Sequence, residues 1–193
     1  MTRPNHPRAR LTTWALVPLA ALSLLLTACT GKPAAPSVTP PATTSPSPSV
    51  DPAEAQNTAK VLALYDNFNK ALVTWQAKSD VNKANDELPK YTVDPLKTQL
   101  LLDLRQRSLA GLHNTGQPTW TAKVSKINVT KTPFTATIES CYDATNYQLV
   151  DSKGKPAGVP GQAKKYVVTA TAEQYGDGNW YLQTSAADRG RTC

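Results

Sequence analysis

The sequence has little of what most active sites are built from. Its 193 residues hold two histidines, three cysteines, one methionine and two phenylalanines. Histidine-based acid-base or metal chemistry therefore has almost nothing to draw on. Long basic runs are missing too: the longest is the pair Lys164-Lys165, and no recognisable nucleic-acid module accompanies it, which argues against a nucleic-acid partner. The net charge of +7 owes three units to Arg3, Arg8 and Arg10, so from Cys29 onward it is only +4. A membrane-spanning run is also lacking. Spanning needs about 20 apolar residues, whereas Trp14 to Ala28 is shorter and is interrupted by Pro18, Ser23 and Thr27.

What is present at the N-terminus has a definite order. Arg3 to Arg10 form a positive region, Trp14 to Leu26 an apolar one, and Leu26-Thr27-Ala28 a zone of small residues before Cys29. This is the order of an export signal spanning residues 1–28. Leu26-Thr27-Ala28-Cys29 resembles a bacterial lipobox. The resemblance implies that a diacylglyceryl group is attached to the Cys29 thiol, that a peptidase cuts before it, and that the mature chain begins at Cys29. Arg8-Ala9-Arg10 is not a twin-arginine pair, so the general secretory route is expected. Two or more acyl chains, each methylene contributing about 0.8 kcal/mol, make such an anchor lasting. The expected location is the extracytoplasmic face of the cell membrane.

Residues 29–50 read as the lipidated cysteine followed by a tether. Residues 30–50 contain six prolines, eight Ser or Thr, one charge and no aromatic residue. Such a composition cannot bury enough apolar surface to offset its ordering entropy. Extended as polyproline II, at about 3.1 Å per residue, the segment reaches at most roughly 65 Å.

Residues 51–193 read as the folded domain. Asp51, Pro52 and Glu54 supply an N-cap, a first-turn proline and a capping-box acid. Val61, Leu64/Tyr65, Phe68, Ala71/Leu72 and Trp75 then fall on one helical stripe, and polar residues from Ser79 to Glu87 interrupt it. Asp94-Pro95 opens a second amphipathic helix carrying Leu96, Leu100, Leu104 and Leu112, with an end expected near Gly111 to Gly116. After Pro118 the period becomes two. Trp120, Ala122 and Val124 alternate with polar residues, and the phase slips to Ile127 and Val129, which implies a bulge near Ser125 or Lys126. Strands follow around Phe134–Ile138, Tyr147–Leu149, Tyr166–Ala172 and Trp180–Leu182, with Gly176-Asp177-Gly178-Asn179 as a hairpin turn. Helices followed by antiparallel strands predict an α+β fold, two to three helices packed on one face of a curved antiparallel sheet of about five strands.

That order in about 140 residues resembles the nuclear transport factor 2-like (NTF2-like) fold, a cone whose sheet wraps a pocket against its helices. Residues 59–193 look like a set of actinobacterial secreted proteins and lipoproteins of that fold. The resemblance is carried by Tyr91 and the helix after it, Gly116-Gln117-Pro118, Glu139-Ser140-Cys141-Tyr142-Asp143, the Trp180 strand and Gly190-Arg191-Thr192-Cys193. It implies fold and location but no reaction, because that set has no established activity.

With Cys29 assigned to the lipid, Cys141 and Cys193 remain as an even pair. In an exported protein a disulfide between them is expected; the alternative, a reactive Cys141 thiol, lacks a neighbouring histidine to activate it. Once His6 leaves with the signal, only His113 remains, at an expected helix end, so no metal and no cofactor are expected. Enzymes of the NTF2-like fold, such as ketosteroid isomerases, scytalone dehydratases and polyketide cyclases, set an Asp or His in the cone. Asp143, Asp103 and Glu139 are the carboxylates to consider, against their plainer roles as a turn residue, a solvated helix charge and a partner for lysine. Tyr65, Phe68, Trp75, Tyr91, Trp120, Tyr142 and Trp180 either line a pocket or fill the cone as core. The candidate pocket set is Tyr65, Trp75, Tyr91, Trp120, Tyr142 and Asp143. The expected function is that of a non-enzymatic lipoprotein held to the membrane by its lipid, whose domain binds a protein or envelope component. The alternatives are a small pocket isomerase, dehydratase or cyclase, and an accessory component of a conjugation or secretion apparatus.

Overall fold

A computed structural model describes residues 51–193; the residues read as an export signal, Cys29 and the expected tether lie outside the described residues. Helix α1 runs from Pro52 to Lys78. Asp51 caps it by accepting from the Ala53 amide at 2.8 Å, so the cap closes one residue earlier than the Glu54 capping box predicts. Its stripe is the expected one: Val61, Tyr65, Phe68 and Trp75 are all buried. The helix ends at Ser79 in the left-handed region, φ 47°, and the Ser79 hydroxyl donates to the Leu112 carbonyl. That bond ties the end of α1 to the chain entering the sheets.

The polar stretch after Ser79 is not a loop throughout. Helix α2 spans Val81–Glu87, capped by Asp80, which accepts from the Lys83 amide at 3.0 Å. Only Ala84 of α2 is buried, too little apolar periodicity for sequence patterning to register. A single 3-10 turn, Leu88–Lys90, leads to helix α3, Leu96–Leu109. This helix stops short of Leu112. Gly111 adopts φ 65°, and the Leu112 amide donates back to the Arg107 carbonyl at 2.9 Å, a glycine-centred termination.

His113 therefore opens a strand rather than closing a helix. Strand β1, His113–Gly116, pairs antiparallel with β4, Tyr147–Val150, as a two-stranded sheet. The remaining strands, β2 (Thr119–Asn128), β3 (Thr135–Asp143), β5 (Lys165–Gln174) and β6 (Trp180–Asp188), form an antiparallel sheet of order β2-β3-β5-β6. The fold is α+β, as expected, but the single five-stranded sheet is two sheets. The register of β2 on β3 slips between Val124 and Lys126, at the expected bulge.

Gly116 permits the close approach of β1 to the chain entering β4. A Cβ at this position, where φ is 83°, would lie 1.8 Å from the Asn146 carbonyl oxygen. Only glycine lets β1 run this close to the turn entering β4. The inner face of the large sheet places Ile138 beside Ala170 and Tyr142 beside Tyr166, facing the stripe of α1. A smaller cluster, in which Val73, Ala144, Tyr147, Tyr166 and Val168 are buried, lies at one end of the core.

The C-terminal segment crosses the outer face. The Val167 amide donates to the Arg191 carbonyl at 2.9 Å, and the Arg191 guanidinium meets Glu139 at 3.2 Å. Cys193 is joined to Cys141, with 5.7 Å between their Cα atoms. Closing a loop of 52 residues contributes about 4 kcal/mol in the chain-entropy account.

Candidate ligand-binding cavity

A cavity of about 410 Å³ opens between α1, the inner face of the large sheet and the small sheet. Helix α1 supplies Tyr65, Phe68, Asn69, Leu72 and Gln76, one side of its buried stripe. The large sheet supplies Tyr142, Tyr166 and Val168, with Ser185, Ala187 and Arg189 beyond them. The small sheet brings Asn114, Tyr147 and Leu149, α3 brings Arg107, and the β4–β5 loop brings Lys164 to the rim.

Four tyrosines define its chemistry. Burial raises the pKa of Tyr65, Tyr142, Tyr147 and Tyr166, and for Tyr142 the neighbouring Tyr147, Tyr166 and Tyr65 push in the same direction. All four phenols are thus held protonated at neutral pH, as hydrogen-bond donors rather than bases. Tyr147 donates to Gln76 at 2.8 Å. Tyr142 is the middle of an aromatic row, stacked on Trp120 with an interplanar angle of 11° and tilted against Tyr166 with ring centroids 5.6 Å apart. Arg189 continues the row, its guanidinium 4.1 Å from the Tyr166 ring centroid.

The fixed charges on the lining are all positive: Arg107, Lys164 and Arg189, with no Asp, Glu, His or Cys among them. Arg107 is already engaged, by Asp103 at 2.8 Å and by Asn114 at 2.8 Å. Lys164 and Arg189 form no ion pair among the described residues. Beneath the tyrosines, the Ser140 hydroxyl is buried without a hydrogen-bond partner of normal geometry, the one such side-chain atom among the described residues.

Of the candidate pocket residues read from the sequence, Tyr65 and Tyr142 line the cavity and the other four do not. Trp75 is fully buried on the far side of the stripe, where its indole donates to Glu87 at 2.8 Å and its ring meets Tyr91 at 6.2 Å. Trp120 stands behind Tyr142 and donates to Asp66 at 3.2 Å. Asp143 faces outward and pairs with Lys165 at 3.3 Å; its pKa is lowered chiefly by hydrogen bonds from Thr145 and further by that lysine. Glu139 is likewise on the outer face, its carboxyl lowered first by Arg191 and then by Lys123. Phe68 lines the cavity, whereas Trp180 is core and donates to Asn57 at 3.1 Å.

Sequence reading did not single out Tyr147, Tyr166, Arg107, Lys164 or Arg189 as site residues. Tyr147 and Tyr166 carried a usable signal, as aromatics on the inward phase of their strands. The three cations carried none, because their position depends on where α3 and two loops close on the sheet.

No family model matches the chain, and no curated protein does. Among solved structures, the intermembrane space region of the chloroplast protein ARC6 is similar at a TM-score of 0.39 and 11% identity, over 72% of this chain and 98% of that one. A protein of Catenulispora acidiphila is similar at 0.41 and 12% identity, over 70% of this chain and 93% of that one. The Kfla4162 protein of Kribbella flavida is similar at 0.35 and 13% identity, over 69% of this chain and 90% of that one. Scores of this size assign neither family nor function.

Proposed function

We propose that the protein is a lipid-anchored extracytoplasmic lipoprotein whose domain binds a ligand in the tyrosine-lined cavity without transforming it. The observation that carries the binding half is the lining itself. Its ionisable side chains are three cations and four phenols held protonated, which supports recognition and supplies no general base near neutral pH. A pocket isomerase, dehydratase or cyclase has the open volume in its favour, since about 300 Å³ suffices for a small ligand. It lacks the inward carboxylate or histidine that such chemistry uses. The NTF2-like reading belongs to the same proposal, supported by helices that precede an antiparallel sheet and enclose a cavity against it.

The anchoring half rests on Leu26-Thr27-Ala28-Cys29 and the tether after it. Under that reading the domain begins within roughly 65 Å of the membrane. Cys29→Ser, expressed in a bacterial host with palmitate labelling, is expected to abolish the acyl label and leave an unprocessed or released chain. A variant that stays labelled and membrane-bound would remove the anchor from the proposal. Incubation of the wild-type protein with candidate ligands followed by mass spectrometry of the small molecules is expected to return them unchanged; turnover would favour the enzyme reading.

A further inference from the structure

The geometry points to a ligand class for this cavity: a small organic anion, one carboxylate or phosphate head on an apolar body. The inference rests on the cavity being a binding site and adds what it selects.

Charge is the first reason. Lys164 and Arg189 face the cavity with no acidic partner among the described residues, and the lining holds no carboxylate to offset them. Asp103 neutralises Arg107, so the uncompensated positive charge lies on the Arg189 and Lys164 side. An anion placed there meets attractive charge from both side chains.

Donor supply is the second. Arg189 donates to the Tyr166 oxygen at 3.3 Å, which occupies that oxygen as an acceptor and leaves its O–H proton to be given elsewhere. The Tyr142 hydroxyl has no hydrogen-bond partner among the described residues and is not sealed from the cavity. Protonated phenols beside a guanidinium and an ammonium are a donor-rich set with positive charge, which ionised oxygens satisfy well.

Shape is the third. Phe68, Leu72, Leu149 and Val168 add apolar surface beside the phenol rings. The Tyr142 ring, stacked on Trp120 at 11°, and the Tyr166 ring supply the aromatic part of that surface. A volume of about 410 Å³ holds a fused bicyclic acid or an acid of similar bulk.

The test compares naphthalene-2-carboxylate, neutral naphthalene-2-carboxamide, 2-naphthylmethylamine and 2-naphthyl phosphate by titration calorimetry. The full-length protein is held in phosphatidylcholine nanodiscs, with empty nanodiscs as the control. The carboxylate and the phosphate are expected to bind at least about tenfold more tightly than the amide, and the amine more weakly still, with the preference shrinking as salt is raised. Arg189→Met and Lys164→Met should each weaken the two anions by about tenfold and leave the amide unchanged. Lys164 is exposed, so its variant tests the charge without disturbing packing. Equal binding of anion and amide, lost on filling the cavity with Ala187→Trp or Ser185→Phe, would overturn the anion preference and leave the binding site standing. No binding by any of the four probes, with both filling variants as stable as wild type, would overturn the site itself.

Discussion

The guanidinium of Arg189 lies 4.1 Å from the centroid of the Tyr166 ring, and its terminal nitrogen donates to the hydroxyl of the same tyrosine at 3.3 Å. Arg189 also donates to the Ala163 carbonyl at 2.8 Å, which joins the C-terminal segment to the loop preceding β5. Four residues later the chain ends at Cys193, joined to Cys141 on the opposite face of the sheet. One short segment thus carries the arginine of the cavity and the cysteine that holds the segment in place.

The disulfide is expected to shape the cavity from outside it, through Arg189. Cys141→Ser with Cys193→Ser is expected to lower stability by about 4 kcal/mol in the chain-entropy account. The same double variant should weaken binding of an anionic probe while far-ultraviolet circular dichroism stays native. Unchanged probe affinity alongside a lowered melting temperature would show that Arg189 keeps its place without the staple.

Gly116 is expected to tolerate no side chain. With φ at 83° and the Asn146 carbonyl 1.8 Å from an added Cβ, Gly116→Ala must move backbone rather than a side chain. A loss of about 2–4 kcal/mol in chemical denaturation is expected. Because Gly116 is paired with Tyr147, the cavity wall should shift too.

Two leucines of α3 should behave oppositely. Leu104 is 0% exposed and Leu109 82% exposed. Leu104→Ala is expected to cost about 2–5 kcal/mol, a transfer loss plus a cavity, and Leu109→Ala no more than about 0.5 kcal/mol. Similar costs for both would place α3 differently on the core.

Alkaline pH should destabilise the domain through the buried tyrosines. Their folded-state pKa values are raised, first of all by burial, so the native state keeps protons that the unfolded chain releases. Their contribution is fully present below the ordinary phenol pKa of about 10 and is lost as pH climbs through and beyond it. Absorbance titration should show these four phenols ionising together with loss of near-ultraviolet circular dichroism. Smooth titration near pH 10 with the fold intact would mean that the cavity admits solvent freely to all four.

Much of the local structure could be read from the chain directly. The stripe from Val61 to Trp75, the slip between Val124 and Lys126 and the Gly176 to Asn179 turn each depend on residues close in sequence, where helical and extended periods act. Helix α2 escaped because a seven-residue helix that buries only Ala84 has no apolar period to show. Strand β1 escaped because its four residues, His113 to Gly116, include no apolar side chain and are held by pairing with β4.

The sequence by itself determined the order of the long elements, the faces that α1 and the long strands turn inward, and an N-terminal pattern with the order of an export signal ahead of Cys29. Tertiary structure decided which inward aromatics became core and which became cavity. Trp75 and Tyr65 share one helical stripe, yet Trp75 packs against Tyr91 near α2 and Tyr65 faces Tyr142 and Tyr166. Tertiary structure also brought Arg107, Lys164 and Arg189 to one opening. Periodicity reports which face of an element is buried; which side chains from distant elements meet depends on register, sheet twist and loop closure, and these act only once the layers have packed.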